Sequence, residues 1–258
     1  MLSTTPDTNA TITHSQRYVS RELTHFVGRA LGTDEQRFEL LVKILKDGVL
    51  KHGYFDQTES ESIMRVDERV KLSAGGMYTP GAVCFCDIPL ADLAGHMARY
   101  SCFGLAFSKR VLIKQGASPV LYVANNSVVE RAVALSADSP LLRSELLDDL
   151  AMSFQELFQE SFRIGARKDL PSDVRAFYKR LAHLFNTLLV EFFGRIKCFD
   201  DSLSDDDPRN YYMEREWRVM GNVRFTLDEV SRVILPRRFA ALFRNEVPRY
   251  IGQISFSD

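Results

Sequence analysis

The amino-acid sequence predicts an α+β fold in which a mixed or antiparallel sheet carries an inserted helical hairpin. Strand-like runs follow one another without a helix between each pair, which argues against a doubly wound parallel sheet. Two long amphipathic segments interrupt the strands between about 127 and 195, and further strands follow them. We expect residues 1–16, which are rich in Thr, Ser, Asn and Asp, to be a flexible tail, and residues 17–258 to form a single domain.

The composition is that of an ordinary soluble globular chain of 258 residues, with 45% hydrophobic and 26% charged residues. The net charge of −1 does not support nucleic-acid binding over the whole surface, although a nucleic acid stays open as a target of a local site. The polar start and the lack of an apolar run near ~20 residues predict a cytoplasmic protein with no membrane partner. Cys84 and Cys86 stand one residue apart, but no second Cys/His pair at zinc spacing accompanies them. We therefore expect the four cysteines to be buried, reduced thiols that bind no metal.

The elements before the hairpin are indicated by apolar period and by turn residues. An extended segment around His25 precedes an amphipathic helix, "DEQRFELLVKILKDGVL", in which Asp34 is the expected N-cap and Gly48 the end. A polar, glycine-containing loop over 53–80 is expected to hold one strand near 63–71. The strand "AVCFCDIPL", the short helix "LADLAGHMARY", the strand "FGLAFS", the helical piece "KRVLIKQG" and the strand "PVLYVA" follow in that order.

The second half begins with two long helices, "SELLDDLAMSFQELFQESFRI" and "DVRAFYKRLAHLFNTLLVEFFGRI", which are predicted to bury their apolar faces on each other and on the sheet. Phe154, Phe158 and Phe162 recur at i+4 spacing and are expected in that core rather than around a cofactor. The acidic stretch 199–210 is expected to be a solvated loop. The strands "EREWRVMG" and "SRVILP", the helix "RRFAALFRNEV" and the strand "RYIGQISF" come last in the sequence.

The stretch "YYMEREWRV" places two carboxylates one residue apart, between a pair of tyrosines and the only tryptophan. Period-2 alternation in a strand would put Glu214, Glu216 and Arg218 on one face and Trp217 on the other. Like charges on one face repel each other, so the pair is either a strand edge balanced by arginines or a site that uses negative charge. Both interpretations stay open at this point.

Several blocks in a fixed order resemble the AbiGi-type abortive-infection proteins of bacteria. They are "THFVGR" before the first helix, the run from "VCFCDIPL" through "HMARY" and "FGLAF" to "PVLYVAN", and the late "EREWR". "YSCFG" departs from the family pattern, in which tyrosine stands next to glycine, and the helices of 127–195 match no part of it. The resemblance implies cytoplasmic phage defence, with an antitoxin-type role opposite a nucleotidyltransferase-like toxin or another partner of the defence system.

A second resemblance concerns chemistry. Glu214-x-Glu216 ahead of a late strand looks like the ExE element of ADP-ribosyltransferases, and "THF" followed by a helix is similar to the histidine-containing branch of that fold. The resemblance implies NAD as the substrate. Glu216 would hold a ribose hydroxyl beside the oxocarbenium ion, and Glu214 would orient or deprotonate the nucleophile. His25 would form a hydrogen bond to the other ribose.

The same resemblance implies the rest of the NAD site. The aromatic ring of Phe85 or Tyr212 would stack on nicotinamide, and Asp87 would lie near the end of the strand that floors the cleft. Two departures accompany it. "CFC" stands where arginine-modifying members carry a Ser-Thr-Ser strand, and no small hydroxyl residue follows His25 two positions on.

Two other functional classes stay open. In one, an ADP-ribosyltransferase-like shell without chemistry binds a partner toxin, and the acidic loop 200–207 covers a basic cleft. In the other, a nuclease or RNA-binding module uses the basic pairs of "PRRFAALFR" and "SKRVLIK", which are most simply solvated faces. His25 by itself could be a satisfied core histidine, and His96, beside Arg99 on a helix, is expected at the surface.

Overall fold

The computed structural model describes residues 20–53, 64–125, 127, 146–204, 207 and 209–258. The expected tail, 1–16, and the start of the expected insertion, 128–145, lie outside the described residues. The division of the chain into a tail and a single domain therefore stays a prediction.

The strands, numbered in chain order, are β1 (Glu22–Phe26), β2 (Val49–Leu50), β3 (Met64–Val66), β4 (Tyr78–Pro80), β5 (Ala82–Cys86), β6 (Gly104–Ser108), β7 (Ser118–Pro119), β8 (Leu121–Ala124), β9 (Ile196–Phe199), β10 (Glu216–Met220), β11 (Val223–Arg224), β12 (Val230–Leu235) and β13 (Gln253–Phe256). The helices are α1 (Asp34–Asp47), α2 (Ala94–Arg99), α3 (Lys109–Lys114), α4 (Leu146–Ala166), α5 (Ser172–Glu191) and α6 (Ala240–Glu246).

The main sheet has seven strands in the order β13-β12-β6-β1-β5-β10-β7. Neighbouring strands are antiparallel except for β12 and β13, which are parallel. Six helices accompany this sheet in the part of the chain that the structure describes. These features confirm the predicted α+β class with a mixed sheet, whereas the likeness to ADP-ribosyltransferases stays a prediction.

Helix α1 covers one face of the sheet and forms as its sequence predicts. The N-cap is Thr33, whose side chain accepts from the N–H of Gln36, so the expectation that Asp34 caps the helix was wrong by one residue. Gly48 ends the helix at φ 63°, a left-handed conformation that favours glycine. The buried face of α1 includes Phe38 and packs on side chains of β1, β5, β6, β10 and β12 in the main core.

Helices α4 and α5 form the predicted antiparallel hairpin. The ring of Phe154 contacts the ring of Phe185 at 5.6 Å and that of Phe193 at 5.2 Å, and Phe158 packs against the same small core. Phe162 is 67% exposed, so its placement in the core was wrong. It lies about one turn before the end of α4 at Ala166.

The end of the hairpin differs from the prediction. Helix α5 ends at Glu191, a short 3-10 turn follows at Phe193–Arg195, and β9 pairs in parallel with β8. The sequence was expected to stay helical through "GRI" because its apolar spacing continues there. Gly194 lies in this 3-10 turn, and the flexible end of the Met64 side chain packs 2.7 Å from where a Cβ of residue 194 would be.

The predicted strand near 63–71 is shorter than expected. β3 covers Met64–Val66 and pairs with β4, a second strand that the loop assignment missed. The other predicted strands and helices are present within a few residues of their expected bounds.

Candidate functional site

A cleft of about 960 Å³ opens beside β5. Thr24 of β1 lies opposite Cys86 of β5, and Cys86 lies opposite Glu216 of β10. Cross-strand neighbours share a face, so these side chains form a row across the three strands. His25 follows Thr24 and so alternates to the other face of β1, where its ring contacts Phe85. His25 and Glu216 nevertheless both belong to the lining of the cleft, from strands on the two sides of β5.

His25 binds β5 through its side chain. Its Nδ1 lies 2.8 Å from the carbonyl oxygen of Cys84. A carbonyl can only accept, so Nδ1 carries the proton and Nε2 keeps a lone pair. Burial lowers the pKa of His25, and the bond to Cys84 offsets this only in part. The imidazole is therefore neutral near pH 7 and can accept a hydrogen bond from a ligand.

Glu216 is buried at the start of β10 and has a cation on each carboxylate oxygen. Oε1 accepts from Nε of Arg218 at 2.6 Å, and Oε2 accepts from Nζ of Lys197 at 2.7 Å. Its backbone N–H donates to the hydroxyl of Tyr122 at 2.7 Å. Burial by itself raises the pKa of this carboxyl, but Arg218 and Lys197 outweigh burial and lower the pKa to about 2. Glu216 is thus ionised near neutral pH.

Glu214 reaches the same lysine from the 3-10 turn Tyr211–Glu214, which precedes β10. Its Oε2 accepts from Nζ of Lys197, and its Oε1 accepts from the hydroxyl of Tyr100. A guanidinium nitrogen of Arg99 lies 3.7 Å from Oε1. Both glutamates therefore meet at one ammonium group, which removes the repulsion that the sequence raised as a question.

The strand pattern of "EREWRV" is confirmed only from Glu216 onward. Glu216 and Arg218 share a face, and Trp217 packs against the main core on the other. Glu214 lies outside the strand. It reaches the site because Arg215 adopts a left-handed conformation at φ 46° and turns the chain between the two glutamates.

Lys197 is the site residue that the sequence analysis missed. It lies on β9, where the sequence was expected to end a helix, and its Nζ also stands 4.7 Å from the ring centre of Tyr211. Burial alone lowers the pKa of this amine, but Glu216 and Glu214 outweigh it and raise the pKa. The signal was the alternation in "IKCF", with Ile196 and Cys198 buried and a charged residue between them.

The other predicted cofactor residues do not gather in the cleft. Phe85 belongs to its wall, but its ring is buried against His25 and Phe107. Asp87 is buried outside the lining and pairs with Lys109 at 2.6 Å. Tyr212 is 52% exposed and lies outside the lining, although its ring stacks on Phe199, which is part of it. Its neighbour Tyr211 lines the cleft.

Two lining residues differ from their expected surroundings. His96 was expected at the surface, yet it lines the cleft, and its Nε2 is buried without a hydrogen-bond partner among the described residues. Burial lowers its pKa, which Glu214 offsets in part. Cys84 was expected to be buried, but its side chain is exposed in the cleft wall. Burial of its surroundings and the charge of Glu216 raise the pKa of this thiol, so it stays protonated.

The remaining charged side chains of the lining are mostly cationic, with Asp200 as the acidic member. Arg29 and Arg65 are exposed at the cleft and form no salt bridge among the described residues, although the charge of Arg65 helps to lower the pKa of Asp67. Arg29 lies 4.9 Å from the ring centre of Tyr100, which places it near Glu214. Because the two glutamates are already balanced by Lys197 and neighbouring arginines, the open part of the cleft presents net positive charge to a ligand.

Within the described ranges, no cluster of His, Cys, Asp or Glu side chains has the arrangement of a metal site. None of the helices described there is both long and apolar enough to cross a membrane. Searches of curated proteins and of solved structures found no match.

A comparison with protein families gave a match over most of the chain. A family model described as "Putative abortive phage resistance protein AbiGi, antitoxin" covers residues 51–247, which is most of the chain. The match includes the blocks "VCFCDIPL" and "EREWR" and confirms the resemblance. The block "THFVGR" lies before the matched range, whereas 127–195, which the resemblance left out, lies within it. The chain therefore belongs to the AbiGi family of abortive phage resistance proteins.

Proposed function

We propose that this protein binds NAD in its cleft and transfers ADP-ribose to an acceptor during phage defence in the cytoplasm. The observation that supports the proposal is the position of His25 and the Glu214–Glu216 pair, which line one cleft from strands and turns on the two sides of β5. The cleft volume of about 960 Å³ lies within the range of cofactor sites, roughly 300–1,000 Å³.

The lining offers a group for each part of a dinucleotide. Nε2 of neutral His25 would accept from a ribose hydroxyl. The exposed guanidinium groups of Arg29 and Arg65 would pair with the pyrophosphate. The rings of Tyr100 and Tyr211, both in the lining, would stack on a base. Tyr211 thus takes the place that the sequence suggested for Tyr212.

Glu216 would act on the nicotinamide ribose. The bond between C1′ and the nicotinamide nitrogen breaks, the electron pair stays with nicotinamide, and the ribose carries the positive charge. A carboxylate about 4 Å away stabilises that charge by roughly 4 kcal/mol at an effective dielectric near 20. The acceptor then bonds to C1′ and releases a proton, for which the carboxylate of Glu214 would be the base.

The cations beside Glu216 limit this chemistry. Nε of Arg218 and Nζ of Lys197 lie 2.6 and 2.7 Å from its oxygens, closer than an oxocarbenium ion would. A second guanidinium nitrogen of Arg218 also lies 3.4 Å from Oε2, so a ribose hydroxyl would have to share the carboxylate with these donors. The net field at the ribose is weaker than that of an isolated carboxylate. Binding of NAD therefore has more direct support than its cleavage.

The same charge balance favours a second function, that of a non-catalytic antitoxin that binds a partner toxin. The specific observation is that both glutamates are fully paired without any ligand, as expected for a structural network. The family description also contains the word antitoxin. Under this function NAD would be a bound effector or would not bind at all. The partner toxin would recognise the surface of this protein.

The decisive experiment measures NAD binding by calorimetry and nicotinamide release by chromatography on the same protein. We expect the wild type to bind and to release nicotinamide, and Glu216→Gln to bind but to release it at least about 10²-fold more slowly. Glu39→Gln, at an exposed glutamate of α1 that is not part of the cleft lining, is the matched control and should behave as the wild type. Circular dichroism melting checks that each variant is folded.

Other outcomes assign the second function or remove the first. Binding without release would leave NAD as an effector of a binding protein. Failure of the folded wild type to bind NAD or to release nicotinamide would contradict the first proposal. In either case, rescue of growth by co-expression with an adjacent toxin gene would support the antitoxin function, and lack of rescue and of co-purification would count against it.

A further inference from the structure

The α4–α5 hairpin presents an exposed apolar surface, which we call the outer face. Its members are leucine and phenylalanine side chains that are between 36% and 54% exposed. They are Leu146, Leu150 and Leu157 on α4 and Phe177, Leu184 and Leu188 on α5. Single exposed apolar residues are common, but a contiguous set of this size on one element marks an interaction surface.

Helical spacing places these residues in one stripe on each helix. The steps of four and seven residues on α4, and of seven and four on α5, each return to nearly the same side at 100° per residue. On α4 the stripe lies opposite Asp148, which is buried against Ser73. On α5 it lies away from the buried Val190. Both stripes therefore point away from the rest of the protein.

The two stripes are also level with each other. Phe154 contacts Phe185, and Gly165 approaches Lys179, which fixes the height of one helix against the other. At this register Leu157 stands beside Leu184, and the leucines one to two turns further along, at 150 and 188, are also at similar heights. Because the apolar stripes of α4 and α5 lie at the same height, this surface can pack against the same surface of a second copy.

We propose that the outer face docks against the same face of a second copy of this chain. The two hairpins would form an antiparallel four-helix bundle about a two-fold axis parallel to the helices, with α4 of each copy over α5 of the other. Burial of the leucine and phenylalanine side chains from both copies removes them from water and supplies the driving force.

Charged side chains favour this arrangement over one whose two-fold axis is perpendicular to the helices. Glu156 lies on the side of α4 that faces away from α5, and Arg180 lies on the side of α5 that faces away from α4. Neither has an ion-pair partner in the ranges described. An axis parallel to the helices brings the edge with Glu156 to the edge with Arg180 of the other copy, about one turn apart and within reach of long side chains. A two-fold axis perpendicular to the helices would instead place α4 of one copy over α4 of the other. The edge with Glu156 would then meet the same acidic edge of the second copy.

The test measures the mass of the full chain by light scattering after gel filtration and by sedimentation equilibrium. We expect a dimer of the 29.4 kDa chain. Leu157→Glu and Leu184→Glu should each raise the dissociation constant by at least about 100-fold, because each buries a charge in the apolar interface. Leu242→Glu, at a leucine of α6 that is 46% exposed, is the control and should leave the dimer unchanged.

A charge exchange tests the geometry. Glu156→Arg and Arg180→Glu should each weaken the dimer, and the combination should restore it. Thermal melting shows whether the variants are folded, since all four side chains are exposed in the single chain. A wild-type chain that stays monomeric, including one that binds another protein through this face, overturns the proposal. So does a dimer that Leu157→Glu and Leu184→Glu leave intact.

Discussion

Nζ of Lys197 lies 2.7 Å from Oε2 of Glu216, so a residue of β9 holds the carboxylate that begins β10. β9 is outside the main sheet and pairs only with β8 among the described strands. The ion pair therefore joins the small β8–β9 sheet, which packs with the hairpin, to the main sheet at the cleft. Whatever the ligand, the position of Glu216 depends on that lysine.

Replacing Lys197 by methionine should destabilise the protein by about 3 kcal/mol. The change leaves two buried carboxylates with one cation fewer, and breaking a buried pair on one side costs roughly 3–5 kcal/mol, less some relief because the lysine side chain is 19% exposed. Urea unfolding followed by circular dichroism measures the loss. Lys43→Met is the control. Lys43 pairs with Asp47, and the lysine side chain is 70% exposed. This ion pair should contribute no more than about 0.5 kcal/mol. Equal losses in the two variants would contradict the interpretation.

The stability of the protein should fall as pH drops from about 4.5 to about 2 because of Glu216. The pKa of this carboxyl is lowered in the folded state from 4.5 to about 2, so ionised Glu216 stabilises the fold above pH 4.5, and that contribution is lost as it protonates. The shift corresponds to roughly 3 kcal/mol.

The difference in unfolding free energy between wild type and Glu216→Gln isolates this contribution from that of other acids. It should be largest near pH 6 and should shrink toward pH 2, because protonated Glu216 resembles glutamine. A difference that stays constant across this range would show that Glu216 is not the group responsible.

Local sequence signals were sufficient for the elements whose ends have their own markers. The helix α1 has a polar residue before it and Gly48 after it, and the alternating or apolar runs of β5 and β6 stand between turns. His25 and Glu216 were chosen as site residues from their resemblance to elements of ADP-ribosyltransferases. Their common cleft depends on the order of strands that are distant in sequence, and periodicity does not contain that order.

The residues whose surroundings differ from those expected have partners that the sequence does not specify. Lys197 was missed because the apolar spacing of α5 continues past the end of the helix at Glu191, and the alternation in "IKCF" covers only four residues. Asp87 follows β5, but a lysine from α3 and the N–H of Ser20 take its carboxylate away from the cleft. Tyr211 and Tyr212 are adjacent, and the choice between them depends on how a 3-10 turn is oriented.

Gly48→Ala should destabilise the protein by about 2 kcal/mol. The residue has φ 63°, and a Cβ there would lie 2.7 Å from the carbonyl oxygen of Phe225, so both backbone strain and a clash with backbone oppose the change. Gly95→Ala is the opposite case. Gly95 is inside α2 with open space around it, so alanine should stabilise by up to about 1 kcal/mol. Thermal or urea unfolding of both variants should move in opposite directions, and a loss at both sites would contradict the role of the left-handed turn.

Asp148→Ala should cost about 2 kcal/mol and loosen the hairpin from the rest of the molecule. Oδ1 of this buried carboxylate accepts from the N–H of Ser73 at 2.9 Å, and Oδ2 accepts from its hydroxyl at 2.7 Å, so truncation leaves both donors without their partner. Asp149→Ala is matched in residue type and helical turn, but Asp149 is exposed, and its loss should cost no more than about 0.5 kcal/mol. Urea unfolding compares the two, and hydrogen exchange should show faster exchange in α4 for Asp148→Ala alone. If the two variants lose equal stability, the effect comes from the helix dipole that they share, and the bond to Ser73 contributes nothing.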